Sequence, residues 1–157
     1  VCAHYDIPLI HFSTDYVFDG KHSKPYIETD EPNPLNVYGC SKLEGENRIR
    51  DKWEKHLIFR TCWLYGVPGK SMINLILEAA KENKNLTIVN DQVGSPTPAT
   101  LVALAVKKVV SFLEDPSFKD WGTYHLCARG ETSWFALAQQ IAENLGLSVK
   151  IFPTSTE

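Results

Sequence analysis

The sequence predicts an α/β fold with a mainly parallel sheet, and three observations carry that prediction. Short apolar runs alternate with helix-length segments from one end of the 157 residues to the other. An apolar share of 43% and a charged share of 22% are ordinary for a globular chain. A chain of this length can bury about two-thirds of its unfolded surface, which is enough for a compact core.

Five short runs rich in apolar residues predict the strands of this sheet. Each run has the length of a strand and is bounded by turn residues or polar segments, as expected for strands covered on both faces. The predicted strands are residues 8–12, 56–62, 86–90, 122–127 and 148–152.

Four longer segments predict helices, because their apolar residues recur at helical spacing or because capping residues bound them. Asn36 and Thr132 have side chains of the type that caps a helix N-terminus, and Gly146 is a typical helix stop. The predicted helices are residues 37–53, 71–84, 99–113 and 133–145.

Prolines and glycines predict the connecting loops. Residues 21–34 hold three prolines and residues 91–98 hold two, so both are expected to be surface loops. Residues 1–5 resemble the end of a helix and the first residue is valine, so we expect a fragment or a processed chain. One more loop is expected around Gly66, Pro68 and Gly69.

Charge, hydropathy and cysteine content argue against several classes of function. A net charge of −3 argues against a nucleic-acid-binding surface spread over the molecule. No apolar run reaches the about 18 residues of a membrane span, and the N-terminus lacks a signal-peptide pattern. The four cysteines are widely spaced and the five histidines lack metalloprotease spacing. We therefore expect reduced structural thiols in a cytoplasm, no metal site and no membrane partner.

Several polar or aromatic residues follow predicted strands directly. Thr14, Trp63, Asp91 and Gln92 occupy such positions. Ligands of parallel sheets bind at the carboxyl ends of the strands, so these four residues are candidates for one site.

Tyr38 and Lys42 are four residues apart, which places them on one face of the predicted helix, one turn from each other. A phenol that exchanges a proton near neutral pH needs a pKa below about 10, and a neighbouring ammonium lowers it by favouring the phenolate. A hydroxyl such as that of Thr14 could hold a substrate carbonyl against the phenol. The three residues together predict proton delivery to a carbonyl that is being reduced, although the spacing alone also fits an ordinary helix surface.

Four ordered blocks of sequence carry a resemblance to a known family. They are STDYVFDG (13–20), PLNVYGCSKLEGE (34–46), RTCWLYG (60–66) and DQVGSPT (91–97). In these blocks the chain resembles the extended short-chain dehydrogenase/reductases, and within them the dTDP-4-dehydrorhamnose reductases. The resemblance covers almost the whole chain. It implies a partial NAD(P)-binding Rossmann fold, which is a doubly wound parallel sheet, with a smaller substrate-binding region.

The resemblance also implies roles for the matched residues. Tyr38 would be the general acid that protonates the C4 ketone of a dTDP-4-dehydro sugar. Lys42 would lower the pKa of Tyr38 and hydrogen-bond the nicotinamide ribose. Thr14 would orient the carbonyl, and Ser13 would contact the cofactor. The substrate-binding candidates are Trp63, Asp91, Gln92 and Thr97, and for Trp63 a purely structural role in aromatic packing is equally compatible.

One position distinguishes which branch of the family this chain resembles. Sugar-nucleotide dehydratases carry an Asp-Glu pair after the threonine, whereas this chain has Asp15 and Tyr16, which favours simple reduction. Two alternatives stay open. One is a non-catalytic binding subunit, as in the regulatory subunit of methionine adenosyltransferase, and the other is a different sugar-nucleotide enzyme such as an epimerase.

The resemblance further implies NADPH or NADH as cofactor, a dTDP-sugar substrate, and a homodimer as one open possibility. The family holds its dinucleotide on a Gly-x-x-Gly-x-x-Gly turn, and none of the nine glycines here has that arrangement. That turn is expected to precede Val1, so the chain alone is expected to be weakly active or inactive. We expect residues 1–66 to be the C-terminal half of the Rossmann domain and residues 67–157 to be mainly substrate-binding, with 91–130 returning to the Rossmann sheet.

Overall fold

The computed structural model describes residues 1–66 and 71–156, so part of the loop predicted around Pro68 and Gly69 lies outside the described residues. The predicted α/β class with parallel pairing is confirmed. The helices are α1 (Cys2–Tyr5), α2 (Val37–Lys52), α3 (Met72–Lys81), α4 (Ala99–Phe112) and α5 (Trp134–Asn144). The strands are β1 (Leu9–Thr14), β2 (His56–Thr61), β3 (Leu64–Tyr65), β4 (Leu86–Val89), β5 (Val93–Gly94), β6 (Thr97–Pro98), β7 (Gly122–His125), β8 (Thr132–Ser133) and β9 (Ile151–Thr154).

The chain divides into two compact units, and each unit is built from two separate stretches of sequence. The first unit comprises Val1–Cys62 and Leu101–Cys127, and the second comprises Trp63–Thr100 and Ala128–Glu157. None of the helices in the described part of the chain is long and apolar enough to cross a membrane.

A parallel three-stranded sheet in the order β1-β2-β7 is the centre of the first unit. Leu9 pairs with His56 at one end of the register, and Arg60 pairs with His125 near the other. Every residue of β2 is buried because this strand has a neighbour on each side, and the apolar residues Leu57, Ile58 and Phe59 occupy its middle.

A buried ion-pair cluster ties α2 to this sheet. Glu46 on α2 is completely buried, and its carboxylate accepts hydrogen bonds from Arg60 Nε at 3.0 Å and Nη2 at 2.7 Å. Arg50 Nη2 adds a third hydrogen bond at 2.5 Å. Burial raises the pKa of Glu46, but the hydrogen bonds and charges of the two arginines outweigh it and hold that pKa below its ordinary value.

The second unit is built from short strand pairs and two helices. The pairs β4–β9 and β3–β6 are parallel, and the pair β5–β8 is antiparallel. Helices α3 and α5 pack on β4 and β9 around a small apolar core of four buried residues, Ile76, Ile88, Ala138 and Ala142.

Element boundaries differ from the sequence predictions at a few places. Strand β1 continues to Thr14, because it pairs with β2 along its whole length. The predicted loop 91–98 contains the short strands β5 and β6. The predicted cap Thr132 is wrong, because the Ser133 side chain accepts the hydrogen bond from Ala136 N–H at 3.0 Å. The last strand is β9, displaced toward the C-terminus from the predicted 148–152.

Candidate active site

Thr14 stands at the carboxyl end of β1 and is only 5% exposed. Its Oγ1 accepts a hydrogen bond from Tyr16 N–H at 3.2 Å and thereby caps the 3₁₀ turn Asp15–Val17. The same hydroxyl donates to Asp15 Oδ1 at 3.1 Å. Burial raises the pKa of Asp15, and the hydrogen bond from Thr14 opposes that rise. The hydroxyl is therefore held in a defined position at the end of the strand.

Helix α2 presents Tyr38 and Lys42 beside this strand. The Asn36 side chain accepts from Gly39 N–H at 2.7 Å, so the predicted cap is confirmed and the first turn is fixed. Tyr38 is 54% exposed, which leaves its hydroxyl accessible to a ligand. Lys42 Nζ donates to the carbonyl oxygen of Phe12 on β1 at 2.5 Å. The ammonium is thus held at the same strand that ends in Thr14.

Gly39 allows α2 to approach the turn after β1. A Cβ atom at this position would lie 2.1 Å from the Tyr16 carbonyl oxygen and 2.9 Å from Pro34 Cβ. The close approach brings the Tyr38 ring edge-on to the Tyr16 ring, with 5.9 Å between the centroids. In this way the first turn of α2 is positioned against the residues that follow Thr14.

The Gly39→Ala variant is expected to unfold about 1–3 kcal/mol more easily, because the added methyl group overlaps a backbone carbonyl. Gly45→Ala is the matched control on the same helix, since the nearest atom to a Cβ there lies 4.0 Å away. That control should gain up to about 1 kcal/mol from the higher helix propensity of alanine. Urea unfolding curves measure both. Equal stabilisation of the two variants would contradict the close approach at Gly39.

In the second unit, Trp63 is held between a glycine and another tryptophan. Its ring stacks on Trp134 with 3.7 Å between centroids and an angle of 10° between the planes. A Cβ atom on Gly94 would lie 2.4 Å from the indole, so glycine is required there. Trp63 also has a φ of 41°, a left-handed conformation that is uncommon for a large residue. This packing fixes the indole within its unit.

Two of the other predicted substrate residues hold the C-terminal segment. Asp91 accepts hydrogen bonds from Thr156 N–H at 2.8 Å and from its hydroxyl at 2.9 Å, and Gln92 Nε2 donates to the same hydroxyl oxygen at 2.9 Å. Thr97 is completely buried; its hydroxyl donates to Ser95 O and accepts from Ala128 N–H. The contact of these residues with a substrate stays a prediction.

A cavity of about 810 Å³ in the second unit is lined by Trp63 and Gln92. Its walls come from α3, α5 and β4 and are mainly apolar, with Gln140 and Asn144 as further polar groups. The size suits a small-molecule ligand, since such sites commonly measure about 300–1,000 Å³.

The structure thus brings Thr14, Tyr38 and Lys42 onto adjoining elements of the first unit. Ser13, the fourth predicted residue in this unit, is buried on β1, and its hydroxyl is among the groups that lower the pKa of Glu46. In residues 1–66 and 71–156, no group of three histidine, cysteine, aspartate or glutamate residues could hold a metal ion. Sequence reasoning missed Gly39 and Gly94, because only the folded chain reveals which residues approach them.

Comparison with known proteins identifies the family. The protein-family model described as "RmlD substrate binding domain" matches residues 1–157. The chain belongs to the RmlD substrate-binding domain family. The resemblance deduced from the four sequence blocks is therefore confirmed.

Curated relatives and solved structures agree with membership of the RmlD family. The dTDP-4-dehydrorhamnose reductase of Escherichia coli K12 is 43% identical over 136 residues, which cover 86% of this chain and 45% of that protein. The spore coat polysaccharide biosynthesis protein SpsK of Bacillus subtilis is 40% identical over 148 residues, covering 94% of this chain and 50% of that protein.

A crystal structure of a Bacillus anthracis dTDP-4-dehydrorhamnose reductase in complex with NADP has the same fold. It superimposes with a TM-score of 0.90 and is 34% identical, over 99% of this chain and 53% of that one. The chain therefore spans about half the length of the relatives and structures it matches.

Proposed function

We propose that this chain supplies the proton-donating and substrate-binding parts of a nicotinamide-dependent dTDP-4-dehydrorhamnose reductase. The reaction is reduction of the C4 ketone of dTDP-4-dehydro-L-rhamnose to the alcohol of dTDP-L-rhamnose, in cytoplasmic nucleotide-sugar synthesis for surface polysaccharides. The observation that carries the proposal is the placement of Thr14, Tyr38 and Lys42 on adjoining elements, in a chain that is 43% identical to the dTDP-4-dehydrorhamnose reductase of Escherichia coli K12.

Each of the three residues has a distinct task in the proposed reaction. The Thr14 hydroxyl, held at the end of β1, orients the ketone oxygen of the substrate by turning its O–H from Asp15 Oδ1 to that oxygen. The exposed Tyr38 hydroxyl donates its proton to that oxygen as the alcohol forms. Lys42, anchored on the Phe12 carbonyl oxygen, holds a positive charge one helical turn from Tyr38 and favours the tyrosinate left after transfer.

The same residues fit the ribose end of a nicotinamide cofactor. Both the Tyr38 hydroxyl and the Lys42 ammonium are groups that can hydrogen-bond ribose hydroxyls; Tyr38 is exposed on α2 and Lys42 is half-buried. A bound NADPH or NADH supplies the hydride that reduces C4. Ser13 is buried on β1, so its proposed contribution to the cofactor side of the site is mainly to position β1 and only to a small extent to contact the cofactor.

The substrate side is assigned to the second unit. We assign the cavity lined by Trp63 and Gln92 to part of the sugar nucleotide, because it combines a rigid aromatic ring with a few polar groups. Asp91 and Thr97 are then residues that support its walls through their hydrogen bonds. On this view residues 1–66 serve mainly the cofactor and the proton, residues 67–157 serve mainly the substrate, and part of 91–130 returns to the first sheet.

NADPH is expected to bind this 157-residue chain at least about 100-fold more weakly than it binds a protein with the length of the curated relatives. The reason is that no Gly-x-x-Gly-x-x-Gly turn is present among its glycines, and the loss of two charge-assisted hydrogen bonds to a pyrophosphate costs about 3 kcal/mol or more. Quenching of tryptophan fluorescence measures both affinities, with NADH titrated in parallel. Equal affinities would contradict this account of the cofactor site.

The activity is tested on a protein that carries this chain at the length of its relatives. Oxidation of NADPH is followed after addition of dTDP-4-dehydro-L-rhamnose, and the product is identified by mass spectrometry and NMR. One NADPH consumed per alcohol formed supports the reductase. A product formed without net consumption of NADPH indicates an epimerase, and tight binding of cofactor without turnover indicates a non-catalytic binding subunit.

A further inference from the structure

Two cysteines that are distant in sequence follow the carboxyl ends of the paired parallel strands β2 and β7. Cys62 follows the last residue of β2, and Cys127 lies two residues after the end of β7. The parallel register pairs Arg60 with His125, and Leu126 N–H donates to the Arg60 carbonyl oxygen at 2.8 Å beyond the strand end. Continued for two residues along both segments, the same register would place Cys62 opposite Cys127.

This placement meets the geometric requirements of a disulfide. Neighbouring strands lie about 4.8 Å apart, within the about 4.4–6.8 Å that separates the Cα atoms of bonded cysteines. Residues two apart on a strand point to the same face of the sheet. Cys62 is two residues after Arg60 and Cys127 is two residues after His125, so extended segments would carry both thiols on the same face. The Cys62 side chain is also the hydrogen-bonding group that lowers the pKa of Cys127, which is consistent with two neighbouring side chains.

Cys127 also has the exposure and charge state of a reactive thiol. Its side chain is exposed, whereas that of Cys62 is partly buried. The hydrogen bond from Cys62 lowers the pKa of Cys127 to about 7, against the opposing effects of burial and of the Asp15 and Glu28 carboxylates. The lowered pKa increases the fraction of Cys127 that is thiolate at neutral pH, and the thiolate is the attacking form.

We propose that Cys62 and Cys127 form an oxidisable dithiol that reacts with small disulfides such as glutathione disulfide. The Cys127 thiolate attacks one sulfur of the disulfide, which forms a mixed disulfide and releases one thiolate that takes up a proton. The Cys62 thiolate then attacks the Cys127 sulfur and releases the second small thiol. Two protein thiols become one disulfide, and the small disulfide gains two electrons and two protons.

This modification site is separate from the proposed proton-transfer residues and goes beyond the proposed function. Each cysteine is the last residue of the first unit before the chain enters the second unit, at Trp63 and at Ala128. The disulfide would therefore join two of the three points at which the chain passes between its units. Oxidation would add a covalent restraint at these two connections.

Mass spectrometry tests the proposal on this chain without any assay of enzyme activity. The protein is equilibrated in glutathione buffers of increasing oxidising strength, quenched in acid, treated with N-ethylmaleimide and mapped as peptides. We expect a peptide pair linked through Cys62 and Cys127 within one molecule. The control Cys40→Ser should give the same linkage, since Cys40 is an exposed cysteine on α2 outside the pair.

The single variants separate the two chemical steps. Cys62→Ser should stop at a glutathione adduct on Cys127, and Cys127→Ser should form no linkage. Cys127 should also react with iodoacetamide about threefold faster than free glutathione at neutral pH, because its larger thiolate fraction exceeds the accompanying loss of nucleophilicity. Linkage through Cys40 or Cys2, linkage only between two molecules, or two free thiols in the most oxidising buffer would overturn the proposal.

Discussion

Replacement of Tyr38 by phenylalanine is expected to lower turnover of dTDP-4-dehydro-L-rhamnose by about 10²–10⁴-fold, measured in a protein that carries this chain at the length of its relatives. The variant removes the proton donor and keeps the ring that packs edge-on against Tyr16. Since more than half of Tyr38 is exposed, the fold of α2 should not change. The loss should therefore appear in kcat, with KM nearly unchanged.

The control for this variant is the same substitution at a tyrosine outside the site. Tyr5 on α1 is 67% exposed in the same unit, so Tyr5→Phe should leave kcat and KM as they are. Steady-state rates for the three proteins, with far-UV circular dichroism as a check on folding, complete the test. A turnover of Tyr38→Phe within about twofold of the unchanged protein would remove Tyr38 from the mechanism, and a change confined to KM would leave it only a binding role.

Local sequence signals were sufficient where one short segment decides the outcome. The cap at Asn36 and the start of α2 were predictable, because an asparagine side chain just before a helix can accept a hydrogen bond from a backbone N–H group of the first helical turn. The four-residue spacing of Tyr38 and Lys42 fixes their common face in any α-helix. At the start of α5, Thr132 and Ser133 are adjacent and chemically equivalent as caps, so the choice between them needed the pairing of β8 with β5.

Features that depend on register between distant segments could not be read from the sequence. Cys62 and Cys127 belong to no recognisable spacing motif, and only the pairing of β2 with β7 brings them together. Likewise, nothing near Gly94 in the sequence indicates that the Trp63 indole packs against it. The two-unit division raises the same difficulty, because the predicted residues of the proposed active site are distributed between both units.

Glu46 is the residue whose neutralisation should cost the first unit the most stability. Glu46→Gln keeps the shape of the side chain but leaves Arg60, which is 4% exposed, without its compensating charge. Removal of one partner from a buried ion pair typically costs about 3–5 kcal/mol, so a loss of that size is expected in urea unfolding. Glu44→Gln is the matched control, since its ion pair with Arg48 on the same helix is exposed and contributes at most about 0.5 kcal/mol.

The pH dependence of stability, compared between the unchanged protein and Glu46→Gln, provides a second test with a definite sign. Because the folded-state pKa of Glu46 lies below its ordinary 4.5, its contribution to stability is present above pH 4.5 and is lost as the pH falls through the folded-state value. The stability difference between the unchanged protein and Glu46→Gln should therefore shrink in acid. A difference that is small at neutral pH and constant in acid would show that the carboxylate is not ionised in the folded chain.

The origin of the expected loss can be separated from simple packing with a double variant. If the cost of Glu46→Gln comes from the buried guanidinium of Arg60, then Glu46→Leu combined with Arg60→Met should recover much of the stability, because no buried charge of that pair is left uncompensated. A double variant as unstable as Glu46→Gln would instead assign the cost to the remaining partner, Arg50, or to packing. Since α2 carries both Tyr38 and Lys42, recovery of stability with unchanged turnover would mean that the Glu46–Arg60 ion pair is not needed to hold this helix against β1 and β2.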